Sequence, residues 1–71
     1  MKKKILVEGM SCGHCVNHVK EALKELKGVT NVDVTLHDKT ALLETAVDIN
    51  DEEIKFAIDD AGYEVIGIEK L

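Results

Sequence analysis

Apolar residues recur along this chain at two spacings, one of period two and one near 3.6, and the alternation between them marks out the elements. Between Lys3 and Glu8, Ile5 and Val7 fall on one face of a strand. From His14 to Lys27 the apolar positions are Val16, Val19, Leu23 and Leu26, spaced 3, 4 and 3. That spacing predicts a helix with a single apolar stripe. Gly28 stands where a left-handed C-terminal cap belongs. Val29 to Leu36 returns to period two, with Val32, Val34 and Leu36 on one face and Asp33 and Thr35 on the other. His37-Asp38-Lys39 supplies a turn, and Thr40 to Val47 completes a hairpin with Ala41 and Leu43 inward. Asn50-Asp51-Glu52-Glu53 reads as a capping box, with Asn50 as N-cap and Glu53 reaching back. The helix that follows buries Ile54, Ala57, Ile58 and Ala61 and ends at Gly62. Tyr63 to Glu69 is a last strand, with Val65, Ile66 and Ile68 available for packing.

The order β-α-β-β-α-β predicts an α+β, ferredoxin-like sandwich: a four-stranded antiparallel sheet with two helices on one face. The other sheet face stays in water, which suits Lys4, Asp33, Thr35 and Glu44. Leu6 and Leu42 fall on that wet face as a small apolar patch, harmless or a contact surface.

Composition narrows this picture. Residues 1–71 allow one domain with one small core, and no proline, linker or repeat divides it. The aromatic residues are Phe56 and Tyr63, so aliphatic side chains must fill the interior. After Met1-Lys2-Lys3-Lys4 only Ile5-Leu6-Val7 follow before Glu8, too short a run for a signal peptide or a membrane span. The expectation is a cytoplasmic protein with reduced thiols and no direct membrane insertion. The net charge of −5 argues against nucleic acid as a partner and makes the lysine run the cap of a strand end. Charge is also uneven: residues 1–27 carry +3 and residues 28–71 carry −8. A basic half on an acidic protein could orient a partner.

That basic half holds both cysteines, in Gly9-Met10-Ser11-Cys12-Gly13-His14-Cys15, on a loop between the first strand and the first helix. A disulfide across so short a loop would remove little unfolded-state entropy, so a purely structural bridge is a poor explanation. Three chemistries use the spacing. A structural zinc site needs four ligands; here one Cys pair exists, and His14, His18 and His37 show no ligand-like spacing with a second anchor. Thiol–disulfide exchange is the second: Cys12-Gly13-His14-Cys15 looks like the active site of a disulfide isomerase. That class would bring a preceding tryptophan and a facing cis-proline, and the chain contains neither residue type. A soft monovalent ion is the third, since two thiolates suit Cu(I) in near-linear geometry and leave room for a third sulfur. Two thiolates and Cu(I) carry a formal charge of −1, beside the unsatisfied N–H groups and positive dipole of the helix start. The same field favours the thiolate form, above all at Cys15. Gly9 and Gly13 give the loop freedom to adapt.

Gly-Met-x-Cys-x-x-Cys between the first strand and first helix resembles the heavy-metal-associated domain family. This family includes copper chaperones and the N-terminal metal-binding domains of copper-transporting P-type ATPases. The resemblance extends to Gly28-Val29 and to Ala61-Gly62-Tyr63 ahead of the last strand. The length and the Cys-x-His-Cys form look most like a bacterial copper chaperone of this family.

What the resemblance implies is a carrier and not an enzyme, with Cu(I) held by Cys12 and Cys15. Cys12 would be the more exposed ligand and Cys15 the one held at the helix start. Met10 would be a buried prop rather than a ligand. Ser11, Gly13, His14 and Tyr63 would surround and tune the pair, Tyr63 being otherwise a core-edge aromatic, and His18 would be surface. The partner implied is the metal-binding domain of a copper-transporting P-type ATPase, with a copper-bridged homodimer also possible. Lys20, Lys24 and Lys27 share one helix flank and could dock that partner. The acidic remainder of the chain looks instead like an acceptor. Alternatives left open are an ATPase domain itself, a carrier of mercury, zinc or cadmium, and a thiol oxidoreductase.

Overall fold

Alternating burial sets the first strand: β1 (Lys2–Glu8) turns Lys3, Ile5 and Val7 inward and Lys2 and Glu8 outward. The computed structural model describes residues 1–11 and 13–71; Cys12 lies outside the described residues. The remaining elements are α1 (Gly13–Lys24), β2 (Val29–Thr35), β3 (Thr40–Thr45), α2 (Asp51–Asp60) and β4 (Glu64–Lys70), in the expected β-α-β-β-α-β order. The strands make one sheet in the order β2-β3-β1-β4, every pair antiparallel. Both helices lie on one face, α1 against β2, α2 against β4, and each against the other. No helix among the described residues is long and apolar enough to cross a membrane.

The core is aliphatic, as the scarcity of aromatics requires. Ile5, Val7, Ala41 and Leu43 from the sheet meet Val19 and Leu23 from α1 and Ile54 and Ile58 from α2, all at 0% exposure. The spacing of Val19 and Leu23, four apart, puts both on the buried stripe of α1, with Val16 and Leu26 half-buried beside them. The single phenylalanine, Phe56, lies outside, 72% exposed.

Two bulges revise the inward sets. In β4, Leu6 pairs with Gly67 but Val7 pairs with Val65, so Ile66 is the extra residue. Val65 and Ile68, three apart, therefore both pack against the core, while Ile66 is 60% exposed and not a packing residue as expected. In β2, Val29 pairs with Thr45 and Asn31 with Glu44, leaving Thr30 extra. Val29 and Val32 can then share the inner face with Val34. Leu36, expected inward, falls past the end of β2 in the turn to β3 and is 37% exposed.

Two helix ends also differ from expectation. The Leu26 N–H donates to the Leu23 carbonyl, three residues back, so the chain tightens after Lys24 and α1 stops short of Lys27. Lys27 thus sits in a turn rather than on the helix flank with Lys20 and Lys24. Gly28 does take a left-handed conformation, φ +95°. At α2 the Asn50 side chain accepts from the Glu52 N–H at 3.0 Å. Glu53, expected to reach back, is exposed and makes no return hydrogen bond among the described residues.

Lys3 is the one buried charged side chain among the described residues. Its ammonium donates to the Ile49 carbonyl and to Asp51 Oδ1 (2.9 Å), with Asp48 at 3.6 Å. It thereby ties β1 to the segment that opens α2. The Asp51 hydrogen bond raises the Lys3 pKa above its ordinary value of 10.5, with further help from the charges of Asp51 and Asp48, and burial opposes this only in part. A folded-state value above the unfolded one stabilises the fold fully below the unfolded pKa, and the stabilisation is lost as pH rises through the folded value. Asp48 and Asp51 are half exposed, so water screens the ionic share. Lys3→Met should cost about 1–2 kcal/mol at neutral pH, mostly through the orphaned Ile49 carbonyl and the lost charged hydrogen bond. In urea titrations the gap between variant and parent should close in the alkaline range above the raised value; a gap that widens there would show the sign to be wrong.

Candidate metal centre

The loop from β1 into α1 is anchored at both ends. Gly9 leaves the strand with φ +101°, a conformation open to glycine and strained for other residues. Met10 follows and is buried, 7% exposed, in the same cluster as Ile5, Val7 and Ile54. An apolar plug directly after a left-handed glycine fixes where the loop leaves the sheet, and Ser11 emerges exposed from it. Cys12 comes next, outside the described residues, and α1 begins at Gly13.

Cys15 lies in the first turn of α1, half-buried and packed against the core. Its Sγ stands 3.8 Å from Ser11 Oγ, a hydrogen bond in which either atom can donate. The first turn of a helix has N–H groups with no partner inside the helix, and it carries the positive end of the dipole. No acidic side chain stands in that first turn to offset the field. A negative sulfur at Cys15 therefore sits in a favourable potential, with one polar hydroxyl beside it.

Tyr63 reaches this loop from the neighbouring strand, since Glu64 of β4 pairs with Glu8 of β1, and the end of α2 aims it. The Gly62 N–H donates to the Asp59 carbonyl (3.0 Å) and the Tyr63 N–H to the Ile58 carbonyl (3.1 Å), with Gly62 at φ +98°. These two bonds make a Schellman motif, which fixes the backbone of Tyr63 relative to α2. The half-buried ring then lies against the loop, its Cδ1 3.5 Å from where a Cβ on Gly9 would stand. The Tyr63 hydroxyl is 3.2 Å from His18 Nδ1.

The other residues singled out from the sequence divide clearly. His14 is exposed beside Gly13, Val16, Asn17, Val34 and Leu36. His37 is exposed in the β2–β3 turn. Among the described residues no group of three or more His, Cys, Asp or Glu side chains is placed to hold a metal ion. Lys20 is half-buried and Lys24 exposed on α1. Glu21 and Glu25 line the hollow between α1 and α2 with Asp60 and Phe56, so the two flanks of α1 differ in sign. His18 is exposed, as expected for a surface residue, but its link to Tyr63 was not foreseen. The usable signal was its spacing: three residues beyond Cys15, it lies about one turn further along the same side of α1.

Comparison with known proteins bears on the family and the fold. A model of the heavy-metal-associated domain matches residues 4–64. The chain is 42% identical to the "Copper chaperone CopZ" of Staphylococcus aureus (strain JH9), over 93% of this chain and all of that one. Among solved structures, the "CopZ metallochaperone" superposes with a TM-score of 0.85 at 38% identity, covering 93% of this chain and all of that one. A copper binding domain from a P-type ATPase superposes with a TM-score of 0.83 at 34% identity, covering 99% of this chain and all of the domain.

Proposed function

Because the chain belongs to the heavy-metal-associated domain family, we propose that it is a cytoplasmic copper chaperone that carries Cu(I) on Cys12 and Cys15. The observation that supports this most is Cys15: a thiol in the first turn of α1, half-buried, with Ser11 Oγ beside it and Met10 anchoring the approach. Sulfur at that place suits a soft cation, and the helix start balances the negative charge of a bis-thiolate complex. The full-length likeness to a named copper chaperone makes copper the cargo of choice.

Transfer follows from the low coordination number. A thiolate of the acceptor attacks the bound ion, a three-sulfur intermediate forms, and one original Cu–S bond breaks. A second exchange completes the hand-over, so bare Cu(I) is never released. The acceptor is a domain of the same family in a copper-transporting P-type ATPase, a reading supported by the close superposition on such a copper binding domain. The same fold in the ATPase domain leaves the chain able to act at either end of the exchange. Lys20 and Lys24 on one flank of α1 would steer docking, in a salt-dependent way.

The test is a transfer reaction. The Cu(I)-loaded chain is mixed anaerobically with an apo metal-binding domain of an ATPase, in the presence of a coloured Cu(I) chelator. Direct exchange moves copper to the acceptor faster than the chelator gains it, and faster at low salt than at physiological salt. Equal rates of appearance in acceptor and chelator would mean release into solution, and this mechanism would be wrong.

A further inference from the structure

We infer that His18 is a positioning residue for the metal loop: through Tyr63 it clamps the base of that loop and slows release of the bound ion. The inference rests on the carrier reading above and adds to it a residue outside the cysteine motif.

The geometry forms a closed path. Tyr63 is fixed at its backbone by the Schellman bonds that end α2. Its ring covers Gly9, the left-handed residue from which the loop departs. Its hydroxyl meets Nδ1 of His18, which belongs to the same helix as Cys15, one turn further on. The path thus runs from the loop's first residue, through Tyr63, to the helix that ends the loop. Only Met10, Ser11, Cys12 and Gly13 stand between Gly9 and His14, so a brace between Gly9 and α1 limits how far Gly9 can move from the helix start. A ring packed against the core and held at its hydroxyl loses little further freedom when metal binds, and such preorganisation acts mainly on the rate of release.

The hydroxyl contact is what makes His18 more than a surface histidine. It joins the Tyr63 hydroxyl to α1, forty-five residues away in the chain. The structural contribution of one exposed hydrogen bond is small, so removing it should change metal exchange more than it changes folding.

Tyr63 also supplies its own probe. It is the one tyrosine, and the chain has no tryptophan, so all tyrosine emission comes from this ring. The variants are His18→Ala, which removes the contact, His18→Asn, which keeps a polar atom close to the place of Nδ1, Tyr63→Phe, and the double variant His18→Ala with Tyr63→Phe. Cu(I) release into a chelator is followed by stopped flow. Tyr63 emission and the melting temperature are recorded on the metal-free proteins.

His18→Ala and Tyr63→Phe should each speed release by about threefold to tenfold, the range one hydrogen bond can supply. The double variant should release no faster than either single one, because both remove the same contact. His18→Asn should recover most of the parental rate. Tyr63 emission should change in His18→Ala and return toward the parent in His18→Asn, with melting temperatures little altered. Release within twofold of the parent, or effects that multiply in the double variant, would overturn the inference. If the parent itself takes up no Cu(I), the carrier reading falls and this inference with it; uptake with unaltered release sinks the inference alone.

Discussion

Serine at both Cys12 and Cys15 should abolish tight Cu(I) binding and leave the fold standing. The change replaces two soft, ionisable sulfurs by hard neutral hydroxyls of nearly the same shape, so the loss is one of chemistry and not of packing. Supporting partners of a metal site typically cost about 10-fold to 100-fold when removed, and loss of the ligands themselves should exceed that range. The fold should survive because its core is built elsewhere. Cys15 is only half-buried at the edge of a cluster whose largest fully buried members are Ile5, Val7, Val19, Leu23, Leu43, Ile54 and Ile58. Competition with a Cu(I) chelator, together with circular dichroism of the same samples, separates the two effects. Affinity within tenfold of the parent would mean that other atoms hold the ion; a collapsed spectrum would mean that the cysteines serve the fold.

Leu23→Ala should remove a large share of the domain's stability, and copper should restore part of it. Leu23 is at 0% exposure on the inner stripe of α1, where its side chain fills the space between the helix and the sheet. Truncation of such a residue removes transfer energy and leaves a cavity, at a cost of about 2–5 kcal/mol. A domain this small has total stability of only about 5 kcal/mol, so most of the reserve disappears. The corresponding fall in Tm is on the order of 10–30 °C. The metal loop leads straight into the destabilised helix, so Cu(I) bound to the native form pulls the equilibrium back, by about 2.7 kcal/mol at a hundredfold excess over Kd. Thermal melts with and without Cu(I) read both quantities. A fall of only a few degrees would mean that α1 is not held by this stripe, and a shortfall that copper leaves untouched would separate the site from the helix that is supposed to carry it.

What was legible in the sequence was what neighbouring residues decide among themselves. The Val16, Val19, Leu23 stripe, the Val32 and Val34 alternation, the Asn50 cap and the glycine at the end of α2 all depend on contacts a few residues long, and each takes the predicted form. The misses arise where a partner element decides. Alternation cannot reveal that β4 inserts Ile66 opposite β1, because a bulge is a property of the pair and not of the strand. Lys3 looked like one more charge at a strand end, yet its neighbours are Ile49 and Asp51, more than forty residues away. The hydrogen bond between His18 and Tyr63 spans a similar distance in the chain. At the loop between β1 and α1 the motif pointed to the heavy-metal-associated family, and the fold then explained the burial of Met10 and the approach of Tyr63. Cys12, the other half of the motif, is outside the described residues and keeps its standing from the sequence alone.

The central claim is that two sulfurs at the start of α1 form a carrier site for cuprous ion, and an anaerobic titration of the unaltered protein tests it most directly. Cu(I) is added in steps against a chelator of known affinity, with the thiols kept reduced. The protein should win the competition until one ion is bound per chain, or one per two chains if two loops meet across a shared ion. A chelator that takes every equivalent from the start would contradict the account, whatever the fold resembles.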